Sequence, residues 1–381
     1  MSRVARRLHT VEEYYFSRKL KEVRTLISEG AAVINLGIGS PDLPPDPSVV
    51  SALEQSLSDP SAHKYQSYQG LPELRKAISN FYKKNYNVLL DAETEILPLM
   101  GSKEGIMHIS MAYLNEGDAV LIPNPGYPTY SSVTKLMGAT PIFYDLKAES
   151  QWQPNVSVLE QQDLSKVKLM WINYPHMPTG ALDSKDHLRA LVEFAKKHDI
   201  LLVNDNPYSF ILNNNPKSIF NIEGAKDVCL ELNSLSKSFN MAGWRVGMLS
   251  GTAQHITNVI KVKSNMDSGM FYGIQKGAIA ALNSSKSWFA NLNAIYTKRR
   301  ALVWQLAAQL GCTFDQHTAG MFVWAKLPEG LDAEQFIDTL LIEKNIFIAP
   351  GTIFGSNGQG YVRFSLCASE EVINEAIKRT R

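Results

Sequence analysis

The chain has 381 residues, 45% hydrophobic and 20% charged, with 38 lysines and arginines against 37 acidic residues. That length exceeds what one hydrophobic core usually holds, so two globular domains are expected. A formal net charge of +1 removes the electrostatic argument for nucleic acid or a membrane surface as partner and leaves a small molecule.

The N-terminal stretch MSRVARRLHTVEEYYF is basic with no apolar run behind it. No window approaches the roughly 18 uninterrupted apolar residues of a membrane span. The expectation is a cytoplasmic protein without a secretion signal. From about residue 95 to 250, short apolar runs alternate with helical patterns: AVLIP (119–123), TPIFYDL (140–146), KLMWIN (168–173), ILLVND (200–205) and VGMLSG (246–251). Between two of them, DHLRALVEFAKKHD puts Leu188, Leu191, Val192 and Phe194 or Ala195 on one helical face, with lysines toward its end. Apolar runs without alternation, separated by helices, indicate a parallel sheet covered on both faces.

Beyond it, residues 284–311 predict a long helix with Trp288, Leu292, Ile295, Leu302, Leu306 and Leu310 as its apolar stripe and Gly311 as its stop. The remainder, MFVWAKL, DAEQFIDTLLIEKN, IFIAPG, YVRFSL and SEEVINEAIKR, mixes strands and helices. The fold class expected is α/β: a large domain over 46–282 with a mostly parallel sheet flanked by helices, and a smaller α+β domain from 1–45 and 283–381. Cys229, Cys312 and Cys367 are odd in number and widely spaced, which suits reduced thiols and offers no metal cluster.

The chemistry gathers in NSLSKSFNMAGWRVG (233–247), where Ser234, Ser236 and Ser238 surround Lys237 and Arg245 follows. Hydroxyls on a turn and a forked guanidinium suit a phosphate. Asp205 closes the run ILLVND, at the carboxyl end of a strand, where ligands of parallel sheets collect. A lysine, a phosphate cradle and a strand-end carboxylate together suit pyridoxal 5'-phosphate: lysine as Schiff base, carboxylate on the pyridine nitrogen, serine and arginine on the phosphate.

On these motifs the chain resembles the fold type I, class I/II aminotransferases over nearly its whole length, nearest in flavour to alanine or LL-diaminopimelate aminotransferases through SNMDSGMFYGIQKGAIAAL (264–282). The resemblance implies Lys237 as the Schiff-base lysine, with Ser234, Ser236 and Arg245 on the phosphate. It makes Asp205 the partner of the pyridine nitrogen and Tyr208 a donor to the ring's phenolic oxygen. In MGSKEGI, Ser102 and Lys103 would give backbone amides to the phosphate, and in PNPGYPTY, Tyr127 would stack on the ring. Tyr65, in KYQSYQGLPELRKAI, would reach the phosphate of a neighbouring subunit, which implies a homodimer with shared active sites. Gly39 would meet the substrate carboxylate through its backbone, and Arg363, in YVRFSL, would clamp it. Tyr14 or Tyr15 matches a segment that carries a substrate tyrosine.

One position departs from the pattern. In NYPHMPTG (173–180), Met177 stands where the family has an asparagine that donates to the phenolic oxygen. Tyr208 would then hold that oxygen alone or with help from water or Asn173, and Arg363 would lose a companion on the carboxylate. The activity implied is amino transfer between an L-amino acid and a 2-oxo acid; a carbon–sulfur lyase is the alternative built from the same residues.

Overall fold

The computed structural model describes residues 4–11 and 15–381. Its centre is a seven-stranded sheet made of β1 (Ile96–Leu99), β2 (Ala119–Asn124), β3 (Thr140–Asp145), β4 (Val167–Ile172), β5 (Leu201–Asp205), β6 (Cys229–Ser234) and β7 (Gly247–Ser250), in the order β1-β7-β6-β5-β4-β2-β3. The pairs β2–β3, β2–β4, β4–β5 and β5–β6 are parallel. Strand β7 runs antiparallel to both its neighbours, so Ser234 pairs with Gly247 and Leu99 with Gly247 on its other side. An apolar run carries no direction, and VGMLSG did not announce this reversal.

Strands β2, β5, β6 and β7 are buried along their length, whereas β3 closes one edge and leaves Phe143 and Thr140 to solvent. Helices cover the sheet. Helix α1 spans Tyr15–Ser28, α2 Pro72–Tyr86, α3 Ser102–Tyr113 and α4 Lys185–His198. Helix α4 follows its pattern: the Ser184 hydroxyl accepts from the His187 amide at the start, Leu188, Leu191, Val192, Phe194 and Ala195 are buried, and Asp199 turns left-handed at the end.

Next come the one-turn α5 (Leu235–Ser238) and the long α6 (Lys286–Gln309). The buried stripe of α6 is Leu292, Tyr296, Arg299, Val303, Leu306 and Ala307, rotated from the one its aliphatic residues suggest. Arg299 explains the rotation. Its guanidinium is 4% exposed and grips both oxygens of Asp42 at 2.7 and 2.8 Å, with a further bond to the Leu366 carbonyl at 3.1 Å. A paired arginine is buried, and Ile295 is left half-exposed.

The C-terminal part forms a four-stranded antiparallel sheet from β8 (Thr313–Phe314), β9 (Phe322–Lys326), β10 (Ala349–Pro350) and β11 (Tyr361–Ser365), packed by α6, α7 (Ala333–Lys344) and α8 (Glu370–Arg379). The stretch IFIAPG divides: Ile346–Phe347 pairs in parallel with Ile34–Asn35, and Ala349–Pro350 pairs with β11. Residues 34–39 therefore lead from this layer to the rim of the central sheet. Among the described residues no helix is long and apolar enough to cross a membrane.

Candidate active site

The carboxyl ends of the parallel strands and the start of the reversed β7 meet on one edge of the sheet. Gly101 follows β1, Asn173 follows β4, Asp205 ends β5, Ser234 ends β6, and Arg245 precedes β7. They face β11 and residues 37–39 across a cavity of about 520 Å³. Its wall contains Gly39, Ser102, Lys103, Tyr127, Asn173, Met177, Asp205, Tyr208, Ser234, Ser236, Lys237, Arg245 and Arg363. Residues separated by more than 300 positions in sequence are thus brought together as the motifs implied. Tyr65 is outside, 90% exposed. Tyr14 lies outside the described residues, and Tyr15 packs against the C-terminal core and does not line the cavity.

At one end the wall is basic. Helix α3 points its N-terminus into the cavity, preceded by Gly101 at φ +87°, ψ 153°, a conformation essentially reserved for glycine. A Cβ there would overlap the guanidinium of Arg245, and one on Gly247 would come within 2.6 Å of the Ser102 amide. Arg245 itself is left-handed, φ +55°; its Nη1 donates to the Ala242 carbonyl at 3.0 Å and lies 3.5 Å from the Ser236 hydroxyl. The Ser234 hydroxyl accepts from the Ser236 amide at 3.1 Å, starting the turn that carries Lys237. Burial, then the charge of Arg245, lowers the Lys103 pKa. Among the described residues, four cations line the cavity, Lys103, Lys237, Arg245 and Arg363, against one carboxylate, Asp205. The field invites an anion.

Asp205 is 4% exposed. Tyr130 donates to its Oδ2 at 2.8 Å, and among the described residues its Oδ1 has no partner. Burial pushes the carboxyl pKa up to about 6, with the Tyr130 bond opposing. Tyr130 is fixed in turn by stacking on Trp171, with centroids 4.9 Å apart and planes 6° apart. Asn173 is fixed by the backbone, donating one N–H to the Asp205 carbonyl and accepting from the Met177 amide at 2.8 Å, and its second N–H stays available in the cavity wall. Tyr208 is buried edge-on to Phe322, 5.9 Å between centroids, and burial raises its phenol pKa.

Lys237 donates to the Gly39 carbonyl at 2.5 Å. Burial lowers its ammonium pKa, and the charges of Arg363 and Arg245 act in the same sense. Arg363 lies on β11 opposite Trp324 and Ala349. Its guanidinium carbon is 3.9 Å from the centre of the Phe322 ring and 4.6 Å from that of Phe354, Nη2 donates to the Gly37 carbonyl at 2.7 Å, and Nη1 meets the Met177 sulfur at 3.3 Å. Met177 is therefore a soft neighbour of the arginine.

The residues fit pyridoxal 5'-phosphate on two structural points: an orphaned buried carboxylate oxygen at the strand end, and a cradle kept open by glycine beside a guanidinium and a helix N-terminus. Sequence reasoning did not find Tyr130, Phe322 or Phe354. Tyr130 stands three residues after Tyr127, one helical turn on, and spacing alone could have raised it; the two phenylalanines carry no local signal. Elsewhere, Glu104, His108 and Asp267 bring potential metal ligands within 4.8 Å of one another. The buried ammonium of Lys263 bonds both oxygens of Asp267 at 2.8 Å, so the positive charge there is the chain's own.

Residues 31–379 match the family model for aminotransferases of class I and II. The chain is 38% identical to an LL-diaminopimelate aminotransferase of Dehalococcoides mccartyi, over 99% of this chain and 98% of that one. It is 39% identical to that of Halothermothrix orenii, over 99% and 97%. Among solved structures it is similar to substrate-bound BacF of Bacillus subtilis, with a TM-score of 0.95, 34% identity and 100% and 97% coverage. A Staphylococcus aureus aminotransferase has a TM-score of 0.90 at 32% identity, covering 99% and 98%.

Proposed function

The chain belongs to the class I and II aminotransferases, pyridoxal phosphate enzymes that move an amino group between an amino acid and a 2-oxo acid, and on that premise we propose the part each cavity residue plays. Bound pyridoxal phosphate supplies a carbon to which amines add and a ring that accepts the electron pair left when a Cα–H bond breaks. The chain does the rest.

An ionised Asp205 would accept a hydrogen bond on Oδ1 from the protonated ring nitrogen and keep it protonated; a cation there draws the buried carboxyl back to its ionised form. Ser234, Ser236, Arg245 and the α3 N-terminus, with Ser102 and Lys103, hold the phosphate. Tyr127 and Tyr208 bound the ring, Tyr208 through its hydroxyl. Arg363 binds the donor's α-carboxylate beside the backbone of residues 37–39. Lys237 takes a proton from the donor's Cα on Nζ and returns it during the exchange, a task that needs the neutral amine its burial favours.

The observation that carries this reading is the orphaned Oδ1 of Asp205 in the same cavity as Lys237 and Arg245. Borohydride treatment of the holoenzyme should fix the cofactor's mass on the peptide containing Lys237. Lys237→Ala should fix none and lose turnover; label on another lysine would overturn the assignment.

The exposed Tyr65 supports a homodimer in which this tyrosine enters the partner's cavity. Tyr68, Met266 and Phe271 are also exposed, and the backbone of residues 66–67 lies beside Gly269, so large apolar side chains from both neighbouring segments are left for a subunit to cover. Sedimentation equilibrium should give twice the chain mass, and a monomer with full activity would refute the shared site.

A further inference from the structure

We propose that the amino donor taken by this site carries an uncharged, apolar side chain, of about the size of methionine, leucine or phenylalanine. The proposal rests on the aminotransferase reading and deepens it. It sets the chain apart from the diaminopimelate named for its relatives, whose far end bears both an ammonium and a carboxylate.

All five charged side chains that line the cavity among the described residues have tasks: Lys103 and Arg245 at the basic end, Asp205 for the ring nitrogen, Lys237 and Arg363 for the donor. The Gly39 carbonyl bonds Lys237 and the Gly37 carbonyl bonds Arg363, so Ile38 stands between the group that works on the donor's Cα and the group that binds its carboxylate. What is left to receive the donor's side chain is Ser17 and Leu20 from α1, Ile38, Met177, Phe322 and Phe354. Phe322 and Phe354 are 5% and 4% exposed and Met177 is 6% exposed. Among the described residues these six side chains bring one hydroxyl and no charge of their own, and the one guanidinium against them, that of Arg363 on Phe322, Phe354 and Met177, is the group assigned to the donor's α-carboxylate. Lys19, next to Leu20, is turned to Asp338 at 2.6 Å and Glu22 at 2.8 Å.

With Arg363 taken by the donor's α-carboxylate, a second charge placed against this wall loses water and meets no further counter-ion among the described residues, whereas each methylene buried there is favourable. The compartment therefore discriminates against aspartate and diaminopimelate and for apolar donors. Leu20, Ile38 and Met177 are the residues that set this preference.

The test mixes holoenzyme with one donor at a time and no acceptor, following the cofactor's visible spectrum and the 2-oxo acid released. Phenylalanine, methionine and leucine should react with at least tenfold higher second-order rate constants than aspartate or LL-diaminopimelate. Independently of turnover, calorimetry should show 3-phenylpropanoate binding at least tenfold tighter than glutarate. In folded Leu20→Arg the ratio of the phenylalanine to the aspartate rate constant should fall at least tenfold.

Aspartate or diaminopimelate reacting as fast as the best apolar donor would overturn the substrate class while leaving the aminotransferase reading intact. So would glutarate binding as tightly as 3-phenylpropanoate, or an unchanged ratio in folded Leu20→Arg. If Leu20→Arg does not fold, the wild-type donors and the two acids decide. Release of no 2-oxo acid from any donor would overturn both readings.

Discussion

Asp205→Asn separates the cost of the buried carboxyl from its use. In the folded chain its pKa rises from the ordinary 3.8 to about 6, driven by burial and opposed by Tyr130. At about 1.36 kcal/mol per unit, the gap opposes the ionised form by about 3 kcal/mol. A raised carboxyl pKa means that the folded chain binds the proton more tightly than the unfolded one. The stabilisation is thus fully present below the unfolded value and is lost as pH climbs through about 6. Integrated with these two values, about 2 kcal/mol of it disappears between about pH 4.5 and about pH 7.5.

Asparagine cannot ionise, and its amide oxygen can still accept from Tyr130. Urea denaturation of the two apo proteins should therefore show the variant gaining about 2 kcal/mol on the wild type across that interval. With cofactor present the order should reverse at the higher pH, since only the wild type gains the ring-nitrogen contact, and the variant's turnover should fall about 10²–10³-fold. A stability difference between the apo proteins that stays flat with pH would refute the reasoning.

Two further outcomes follow from local geometry. Gly101→Ala should weaken cofactor binding at least tenfold, by pushing Arg245 aside, and cost roughly 1–3 kcal/mol of stability from backbone strain, both readable by cofactor titration and thermal melting; unchanged affinity would remove Arg245 from the phosphate site. Arg299→Met should cost about 2–3 kcal/mol, below the value for a fully buried pair because Asp42 keeps 32% of its side-chain exposure. Denaturation curves check it, and Asp42→Asn in the same background should then cost little more.

The sequence made legible whatever is written contiguously. The lysine turn, the strand-end Asp205 and the amphipathic Lys185–His198 helix each carry their evidence within about a dozen neighbours. The rest depends on contacts between distant segments. The orientation of β7 is set by its partners β1 and β6. The rotated stripe of α6 follows from Arg299 finding Asp42, 257 positions away. Phe322 and Phe354 become walls of the site because β9 and β10 pair on either side of β11, which carries Arg363, Phe322 starting β9 and Phe354 ending the turn after β10. Asn173 is read as a candidate for the ring oxygen from the turn alone, whereas its orientation depends on the Asp205 carbonyl and the Met177 amide, the former 32 positions away.

The reversal of β7 has a consequence for how this chain can vary. Because Ser234 and Gly247 are register partners, residues 235 to 246 form a closed loop whose two ends share a fixed origin, with Lys237 near its start and Arg245 near its finish. Inserting or deleting a residue inside that loop would change the span between lysine and guanidinium, and no outside element could restore it. Length changes accepted during divergence should therefore be excluded from this segment and concentrate at junctions such as residues 283–285, ahead of α6, where no site residue is in register with another.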